Sequence, residues 1–427
     1  MNTGARSPTP GASFFFLPMY YLGIDVGGSH ITLDLVDTRT FELRPQSTLR
    51  TALDTHLAPS AVLAVFEQAI CACADQAAPG DVRGVGLAIP GPFDYPAGIC
   101  RITPHQNKYE QCFGVNFRQA LGHALGTPAR PVVFNNDAAC FALGEYFRGG
   151  AQGFSRPVVV TLGTGFGASF LHEGRPQTCG DNVPPDGELW HVPFRDGIAD
   201  DYFSTRWLTG EWQRLTGTPV AGGKELAHLA LGGHADARRL FRSFGENLAE
   251  FVAPWLARFR ADAFVIGGNL ARDWELFVPA LQAGLAARLA DGIAVKPCEL
   301  GEQAPIYGAA LALTLVDPAS VTPAPLPAGF AGFDALLAQI AAQRRVRLDG
   351  PADAPWRDVT DALDRALRAA GSRTVWYAAD AACGTGGLDP DALANIRPDA
   401  QADRCVVTGC GAAQVPWPDA ATLTLGA

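Results

Sequence analysis

The sequence has no apolar run long enough to cross a membrane. Residues 14–24 are the most apolar stretch near the N-terminus, but they end at Asp25 and a glycine pair, well short of the ~20 residues that a membrane helix needs. The stretch also lacks a convincing small-residue cleavage site for a secretory signal. We therefore predict a disordered leader over residues 1–18, outside the fold, and expect no membrane partner.

Cysteine pairs at metal-binding or redox spacing are also missing. The ten cysteines are scattered, only Cys71 and Cys73 lie close together, and no Cys-x-x-Cys motif occurs. Disulfide-stabilised secreted proteins have dense, even sets of cysteines. We therefore expect free thiols and a reducing, cytoplasmic location.

Basic residues are too few for a broad nucleic-acid-binding surface. Lys and Arg number 33 against 43 Asp and Glu, which gives a formal net charge of -10. An acidic protein repels phosphodiester backbones, so we expect no nucleic-acid partner. A small basic pocket for a nucleotide remains compatible with this charge.

Short apolar strands, glycine turns and helices alternate along the chain, and the pattern occurs twice. Strands are expected as a pair within 20–36 and at 82–89, 131–135, 157–162, 168–171 and 263–266. Helices are expected at 61–76, 137–147, in most of 203–260 and at 306–316. Such alternation predicts α/β layers. We predict two lobes around a cleft, over residues 19–135 and 136–316.

The last quarter of the chain has a different composition. Four prolines within residues 317–329 predict a linker. Beyond it, helices at 333–344 and 357–370 and strands at 345–348, 373–378 and 404–408 predict a small accessory α/β unit over residues 330–427. Leu348-Asp349-Gly350 follows a strand, but no Gly-Lys-Ser/Thr follows it, so this unit has no working P-loop.

Two glycine-rich motifs each lie between predicted strands: Asp25-Val26-Gly27-Gly28-Ser29 and Gly163-Thr164-Gly165-Phe166-Gly167. Glycine lets the backbone approach a phosphate closely, and a side-chain hydroxyl adds a donor. Asp25 could hold a metal ion or its waters. Either motif alone is equally typical of an ordinary hairpin, but two of them favour a nucleotide held between two halves of the protein.

Asn136 and Asp137 follow a predicted strand and open a predicted helix. Asp137 could be a helix N-cap. A carboxylate at the rim of a cleft could equally accept the proton of an attacking sugar hydroxyl, while Asn136 binds another hydroxyl.

Glu188 and His191 lie three residues apart within Gly187-Glu188-Leu189-Trp190-His191. This spacing also occurs in surface helices and metal sites, and a lone histidine is more often structural. However, the Glu188 carboxylate, which accepts hydrogen bonds, beside the His191 imidazole, which can donate and accept, would suit the hydroxyls of a polyol.

Six motifs resemble those of the ROK family (repressors, open reading frames and sugar kinases) and occur in the family's order over about residues 20–316. They are the two glycine motifs, Ile89-Pro90-Gly91-Pro92, Asn136-Asp137-Ala138, Glu188-Leu189-Trp190-His191 and Ile266-Gly267-Gly268. The resemblance implies two actin-like (ribonuclease H-like) lobes with ATP, Mg²⁺ and a hexose in the cleft, and a homodimer.

The resemblance also implies a role for each motif. Asp137 matches the catalytic base. The implied sugar contacts are Asn136, Glu188, His191, Gly91 and Asp200, the last replacing the family's usual Glu. The implied phosphate contacts are Asp25, Gly27, Gly28, Ser29, Gly163, Thr164, Gly165 and Gly167, with Asp25 on the Mg²⁺ side and with Gly267 and Gly268 near the adenosine. The expected reaction is phosphorylation of O6 of glucose, mannose or fructose.

Two departures from the family pattern affect the site. Trp190 stands where the family usually has glycine, which would reshape the sugar pocket or its turn. Residues 192–200 contain no cysteine, although the family has a cysteine-rich zinc motif after the histidine. Because zinc needs about four N or S ligands, we predict no structural zinc.

Two alternatives to a kinase stay open. The family's repressors carry a helix-turn-helix ahead of the kinase-like part, for which the roughly 19 residues before the first strand leave no room. An inactive sugar-binding module is the other alternative.

Residues 392–413 faintly resemble the segment that joins such kinases to mannose-6-phosphate isomerase domains, which would link the chain to hexose 6-phosphate metabolism.

Overall fold

The computed structural model describes residues 19–103, 108–126 and 130–316 and parts of 339–424. The first lobe contains β1 (Tyr20–Val26), β2 (His30–Asp37), β3 (Leu49–Ala52), β4 (Val82–Ala88), β5 (Phe93–Asp94), β6 (Ile99–Cys100) and β7 (Val132–Asn135). Five of these strands form a sheet of order β3-β2-β1-β4-β7. β1 to β3 are antiparallel, whereas β4 and β7 run parallel to β1. The helices α1 (Pro59–Ala74) and α2 (Phe117–Leu121) belong to the same lobe.

The second lobe repeats this arrangement. Its strands are β8 (Pro157–Leu162), β9 (Phe166–His172), β10 (Arg175–Pro176), β11 (Pro193–Phe194), β12 (Gly197–Ile198), β13 (Ala263–Gly267) and β14 (Ala294–Pro297). The sheet order is β10-β9-β8-β13-β14, again with three antiparallel strands followed by two parallel ones. The predicted duplication of α/β layers is therefore confirmed.

Seven helices lie between the first lobe's last strand and residue 316. They are α3 (Asp137–Arg148), α4 (Ala199–Tyr202), α5 (Thr205–Thr216), α6 (Gly223–Leu231), α7 (Ala235–Phe259), α8 (Val278–Ala286) and α9 (Ala304–Ala312). Short 3₁₀ helices lie at Pro185–Gly187, Asn269–Leu276 and Gly301–Gln303.

Each lobe is packed against a helix that follows the other lobe's sheet in the chain. α3 follows the last strand of the first sheet and packs on β8 and β9, whereas α9 follows the last strand of the second sheet and packs on β1 and β4. The two helices also touch each other through glycines: a Cβ on Gly308 would lie 1.7 Å from the Cys140 carbonyl oxygen, and one on Gly144 would lie 2.1 Å from that of Ala304. This close packing fixes the start of α3 between the two sheets.

The C-terminal unit forms a third, all-parallel sheet. Its elements are β15 (Arg345–Asp349), α10 (Trp356–Ala369), β16 (Thr374–Ala378), β17 (Cys383–Gly384), β18 (Gly387–Leu388), β19 (Arg404–Thr408) and β20 (Ala421–Thr424). The sheet order is β16-β19-β15-β20. Its apolar residues join the core of the first lobe. In the part of the chain that the structure describes, no helix is both long and apolar enough to span a bilayer.

Most predicted elements match the structure, with some shifted boundaries. The helix expected at 306–316 occupies Ala304–Ala312, because Pro305 favours the first turn of a helix. β9 begins at Phe166, so Phe166 and Gly167 belong to a strand and not to the loop. The leader, the linker, the first half of helix 333–344 and most of residues 392–413 lie outside the described residues.

Candidate active site

Asn136 connects three parts of the site. It is the N-cap of α3: its Oδ1 accepts the amides of Ala138 (2.8 Å) and Ala139 (3.2 Å). Its Nδ2 donates to Glu188 Oε1 at 3.0 Å and to the Tyr95 hydroxyl at 3.3 Å. One side chain therefore fixes the start of the helix, the Glu188 carboxylate and the β5–β6 turn relative to one another.

Asp137 is the first residue of α3, so it is not the helix cap. Its side chain is exposed, and its carboxylate accepts the Ala138 amide at 2.9 Å. Desolvation by the surrounding protein raises the pKa of Asp137, although the hydrogen bond from the Ala138 amide and then the charge of Lys108 oppose the shift. A carboxylate with a raised pKa that is open to solvent can bind and release a proton.

Asp25 lies at the end of β1, close to Asp137. Burial, and then the negative charges of Asp137 and Glu302, raise the pKa of Asp25 to about 7, while Arg50 opposes the shift. Nearby negative charges disfavour the ionised form of a carboxyl group. A divalent cation would relieve that repulsion, so Asp25 fits a Mg²⁺ ion or its waters.

The first glycine motif forms an open turn between β1 and β2. The Gly27 amide donates to the His30 carbonyl at 3.0 Å. Gly28 and Ser29 are exposed, and a Cβ on Gly28 would meet no atom within 4 Å. The Ser29 carbonyl accepts the Leu53 amide at 2.9 Å, which ties the turn to the segment after β3. The exposed Gly28 and Ser29 are therefore open to a ligand at the end of β1.

The second glycine motif forms the corresponding turn between β8 and β9. The Gly163 amide donates to the Gly165 carbonyl at 3.0 Å, and the Gly163 carbonyl accepts both the amide (2.8 Å) and the hydroxyl (2.9 Å) of Thr205. Thr164 is exposed. A Cβ on Gly167 would lie 3.0 Å from that of Ala138, so this motif contacts the helix turn that carries Asp137.

Gly267 and Gly268 lie beside the second turn. Gly267 pairs with Thr161 in parallel strands, so the carboxyl ends of β8 and β13 meet at one sheet edge. Gly268 has a φ of 85°, and a Cβ there would lie 2.4 Å from the Leu162 carbonyl oxygen. Only glycine fits this bend without displacing Leu162.

Asp200 is engaged within the protein. Its Oδ1 accepts the Phe166 amide at 2.7 Å and lies 3.0 Å from a Cβ built on Gly165, while its Oδ2 pairs with Arg206 at 2.5 Å. A sugar hydroxyl would have to share these oxygens. The Asp200 amide donates to the Trp190 carbonyl at 3.0 Å, which links this residue to the Glu188 segment.

Trp190 contacts both proposed sugar-binding residues of its motif. Its indole N–H donates to Glu188 Oε2 at 2.5 Å, and its ring meets the His191 ring edge-to-face at 5.0 Å. The Trp190 side chain is 45% exposed. Burial raises the pKa of Glu188, and the hydrogen bond from Trp190 lowers it. The tryptophan thus fixes the second oxygen of a carboxylate whose first oxygen is held by Asn136.

Tyr95 is a site residue that the sequence did not reveal. Its hydroxyl accepts from Asn136 and lies 3.0 Å from a Cβ built on Gly91. Burial, opposed by the Asn136 hydrogen bond, raises the pKa of Tyr95. A single tyrosine in a turn has no local pattern that marks it as functional. Lys108 affects the pKa of Asp137, Thr205 donates to the Gly163 carbonyl and Arg206 pairs with Asp200. These residues also lie outside any recognisable motif, so the sequence did not mark them.

Among the described residues, no three His, Cys, Asp or Glu side chains group closely enough to hold a metal ion, and the absence of structural zinc stays a prediction. The cysteines whose surroundings are described, such as Cys71 and Cys179, are free thiols.

Comparison with known proteins places the fold in a known class. The chain is 27% identical over 315 residues to the N-acetylgalactosamine kinase AgaK of Shewanella sp. strain ANA-3, covering 69% of this chain and 96% of that protein. It is 25% identical over 321 residues to a glucokinase of Streptomyces coelicolor, covering 68% and 96%. The crystal structure of the ROK hexokinase from Thermus thermophilus superposes with a TM-score of 0.59 at 25% identity, covering 70% and 99%.

These relatives and the two duplicated lobes define a sugar kinase with the actin-like fold. The ROK family model matches residues 21–315, and the chain belongs to the ROK family.

Proposed function

We propose that the protein transfers the γ-phosphate of ATP to O6 of a hexose, namely glucose, mannose or fructose, with Asp137 as the general base. The observation that carries this proposal is the position of Asp137. Its carboxylate is exposed at the first turn of α3 and interacts electrostatically with both Asp25 and Glu188. It therefore lies between the proposed phosphate side and the proposed sugar side of the site.

The sugar side is a set of fixed hydrogen-bonding groups. Asn136 and Trp190 each donate to one oxygen of Glu188, which leaves each oxygen a free lone pair for a hydroxyl. His191 adds an imidazole next to this pair, and Gly91 leaves room beside the Tyr95 hydroxyl. Asp200 would contribute only by sharing an oxygen that already accepts a hydrogen bond.

The nucleotide side consists of the two glycine turns. Gly27, Gly28 and Ser29 on the first turn and residues 163–167 on the second would hold the phosphates, and Gly267 and Gly268 would lie near the adenosine. Asp25 would hold Mg²⁺ or its waters, and bound Mg²⁺ would neutralise charge on the phosphates. Backbone donors at glycine turns support the developing negative charge in the same way.

Asp137 would accept the proton of the attacking hydroxyl. General-base catalysis is most efficient when the pKa of the base lies near the working pH, and desolvation shifts the pKa of Asp137 upward in that direction. The carboxylate would be oriented by its own helix amide, because Ala138 N lies 2.9 Å from Oδ1.

A kinase assay over a panel of sugars tests the proposal. ATP consumption is measured with glucose, mannose, fructose, N-acetylglucosamine and N-acetylgalactosamine, and the phosphorylated position is read by NMR. Phosphorylation of O6 of one of the first three is expected. A preference for an N-acetylated sugar would refute the proposed substrate, and no turnover with any sugar would support an inactive sugar-binding module.

The remaining proposals concern the molecule's surroundings. We propose a cytoplasmic homodimer without structural zinc, consistent with the free thiols. Light scattering should give twice the chain mass, and elemental analysis should give no stoichiometric zinc. A gel-shift assay with DNA from upstream of the coding sequence should show no binding, whereas specific binding would favour a sugar-responsive repressor.

A further inference from the structure

The C-terminal unit, meaning the described residues within 339–424, is additional to the matched kinase fold. The family match ends at residue 315, and 96% of the N-acetylgalactosamine kinase aligns within 69% of this chain. The unit nevertheless packs against the first lobe, on the side that carries Tyr95.

A strand of the C-terminal sheet pairs with the first lobe. Val115 and Tyr377 form an antiparallel bridge. Two backbone hydrogen bonds flank it: Asn116 N to Trp376 O (2.9 Å) and Ala378 N to Gly114 O (2.8 Å). The edge strand β16 is therefore covered by residues 114–116, which satisfies backbone groups that an open edge would expose.

The same segment pairs with the β5–β6 hairpin on its other side. The Cys100 amide donates to Val115 O at 3.0 Å, and the Gly114 amide donates to Cys100 O at 2.8 Å. β6 in turn pairs with β5. Backbone hydrogen bonds thus run without interruption from the C-terminal sheet to the hairpin whose turn contains Tyr95.

A second connection runs through the helices. Arg118 on α2 donates to the carbonyls of Tyr95 (3.3 Å), Pro96 (2.8 Å) and Ala97 (3.3 Å). α2 is held from the other side by the C-terminal unit: the buried Gln119 side chain donates to the Thr360 carbonyl at 3.2 Å, and Arg368 donates to the Ala120 carbonyl at 3.1 Å. Both connections end at the turn that positions Tyr95.

The first lobe depends on the C-terminal unit in one further place. α1 has no side-chain cap of its own. Instead the Ser60 amide, in its first turn, donates to the Asp399 carboxylate at 2.5 Å. A carboxylate at this position satisfies a free amide and favours the positive end of the helix dipole. Arg368 also pairs with Glu67 on α1 at 3.4 Å and with the buried Asp364 at 2.7 Å.

We propose that the C-terminal unit braces the sugar pocket: it holds the β5–β6 hairpin so that the Tyr95 hydroxyl stays within hydrogen-bond reach of Asn136. This inference rests on the proposed function, because it takes Asn136 as a sugar contact. Arg118 and Arg368 are then positioning residues that act through Tyr95. Both described connections to the site end at the Tyr95 turn and neither includes a glycine turn, so we expect the brace to affect the hexose and not ATP.

Steady-state kinetics of the full chain test the brace. Arg368→Gln removes the ion pairs to Asp364 and Glu67 while keeping a polar, uncharged side chain. With the hexose of the above panel that has the highest wild-type turnover, KM for the hexose should rise about fivefold to tenfold and KM for ATP should change less than twofold. The control is Arg214→Gln, which breaks an exposed ion pair with Glu211 in the second lobe and should change neither KM.

Hydrogen exchange gives a second readout that does not depend on that variant's folding. The same hexose should slow exchange of the Asn116 and Ala378 amides in the wild-type chain, and Tyr95→Phe should abolish the slowing without unfolding the protein. Exchange unaffected by the hexose, or a KM for ATP that rises with the KM for the hexose, would overturn the brace. A wild-type chain that phosphorylates no hexose would instead refute the proposed function. That result comes from the wild-type assay alone, so it is distinct from a failure of the brace.

Discussion

The Asn136 side-chain amide donates to Glu188 Oε1 at 3.0 Å, which joins two motifs that lie 52 residues apart in the chain. The same asparagine caps α3. Because the cap position is filled by its neighbour, Asp137 is not the cap, and its exposed carboxylate is available to a ligand.

Asp137→Asn should remove turnover and retain sugar binding. The amide keeps the shape of the side chain but is a very weak base, so kcat should fall by roughly 10²-fold to 10⁴-fold, while hexose affinity measured by calorimetry should stay within about threefold. Asp236→Asn, an exposed first-turn residue of α7, is the matched control and should leave kcat unchanged. If kcat of Asp137→Asn is near wild type, another group is the base.

Trp190 should control how tightly the hexose is held. Trp190→Phe keeps an aromatic ring but loses the N–H that fixes Glu188 Oε2, so KM for the hexose should rise by a factor of about 5 to 15, which corresponds to one lost hydrogen bond. Trp190→Gly restores the residue usual in the family and should also widen the range of accepted sugars. Trp255→Phe serves as a control outside the site. Unchanged KM values in both Trp190 variants would show that the indole only covers the surface.

The strands and α3 could be predicted because local signals mark them. Aliphatic runs bounded by glycine, as at residues 157–167, define a strand and its turn within a short window. The edge strands β3 and β14 were missed because they are four residues long and contain no fully buried residue. Boundaries near Phe166 shifted because pairing across the β8–β9 hairpin extends the strand into the glycine motif.

The candidate site could be predicted only where its chemistry lies in contiguous motifs. Whether Asn136 or Asp137 caps α3 could not be decided from the sequence, because both residue types are good caps and the backbone at Asn136 decides it. Tyr95 and the docking of the C-terminal unit depend on contacts between residues 41 to 339 positions apart. No local pattern encodes such contacts.

The ionisation of Asp25 should make stability depend on pH. Its pKa is raised from 3.8 to about 7 by burial and then by Asp137 and Glu302. Because the folded pKa lies above the unfolded one, the stabilisation is present below about pH 4 and is lost as pH rises through about 7. It amounts to at most a few kcal/mol, since Asp25 is only half-buried.

Thermal unfolding of the ligand-free protein from pH 4.5 to 8 measures this effect. The Tm of wild type should fall relative to that of Asp25→Asn as pH rises, because the asparagine cannot ionise. Added Mg²⁺ should reduce the difference if Asp25 faces the metal. Parallel Tm curves for the two proteins would mean that Asp25 has an ordinary pKa.

Two glycine substitutions should separate folding from nucleotide binding. Gly268→Ala forces a side chain into a left-handed backbone at φ 85° and 2.4 Å from Leu162 O, which should cost about 2 kcal/mol or more and lower Tm. Gly163→Ala meets no atom within 4 Å, so stability should stay within about 0.5 kcal/mol.

The substitution that leaves stability unchanged, Gly163→Ala, should instead weaken the binding of ATP. The methyl group of Gly163→Ala points into the open space where we place the phosphates, so KM for ATP should rise in a protein that unfolds at the wild-type temperature. Gly28→Ala, whose Cβ also meets open space on the first turn, should behave in the same way if both turns hold one nucleotide. If KM for ATP rises in only one of Gly163→Ala and Gly28→Ala, only the turn that carries that substitution binds phosphate, because neither substitution disturbs the fold.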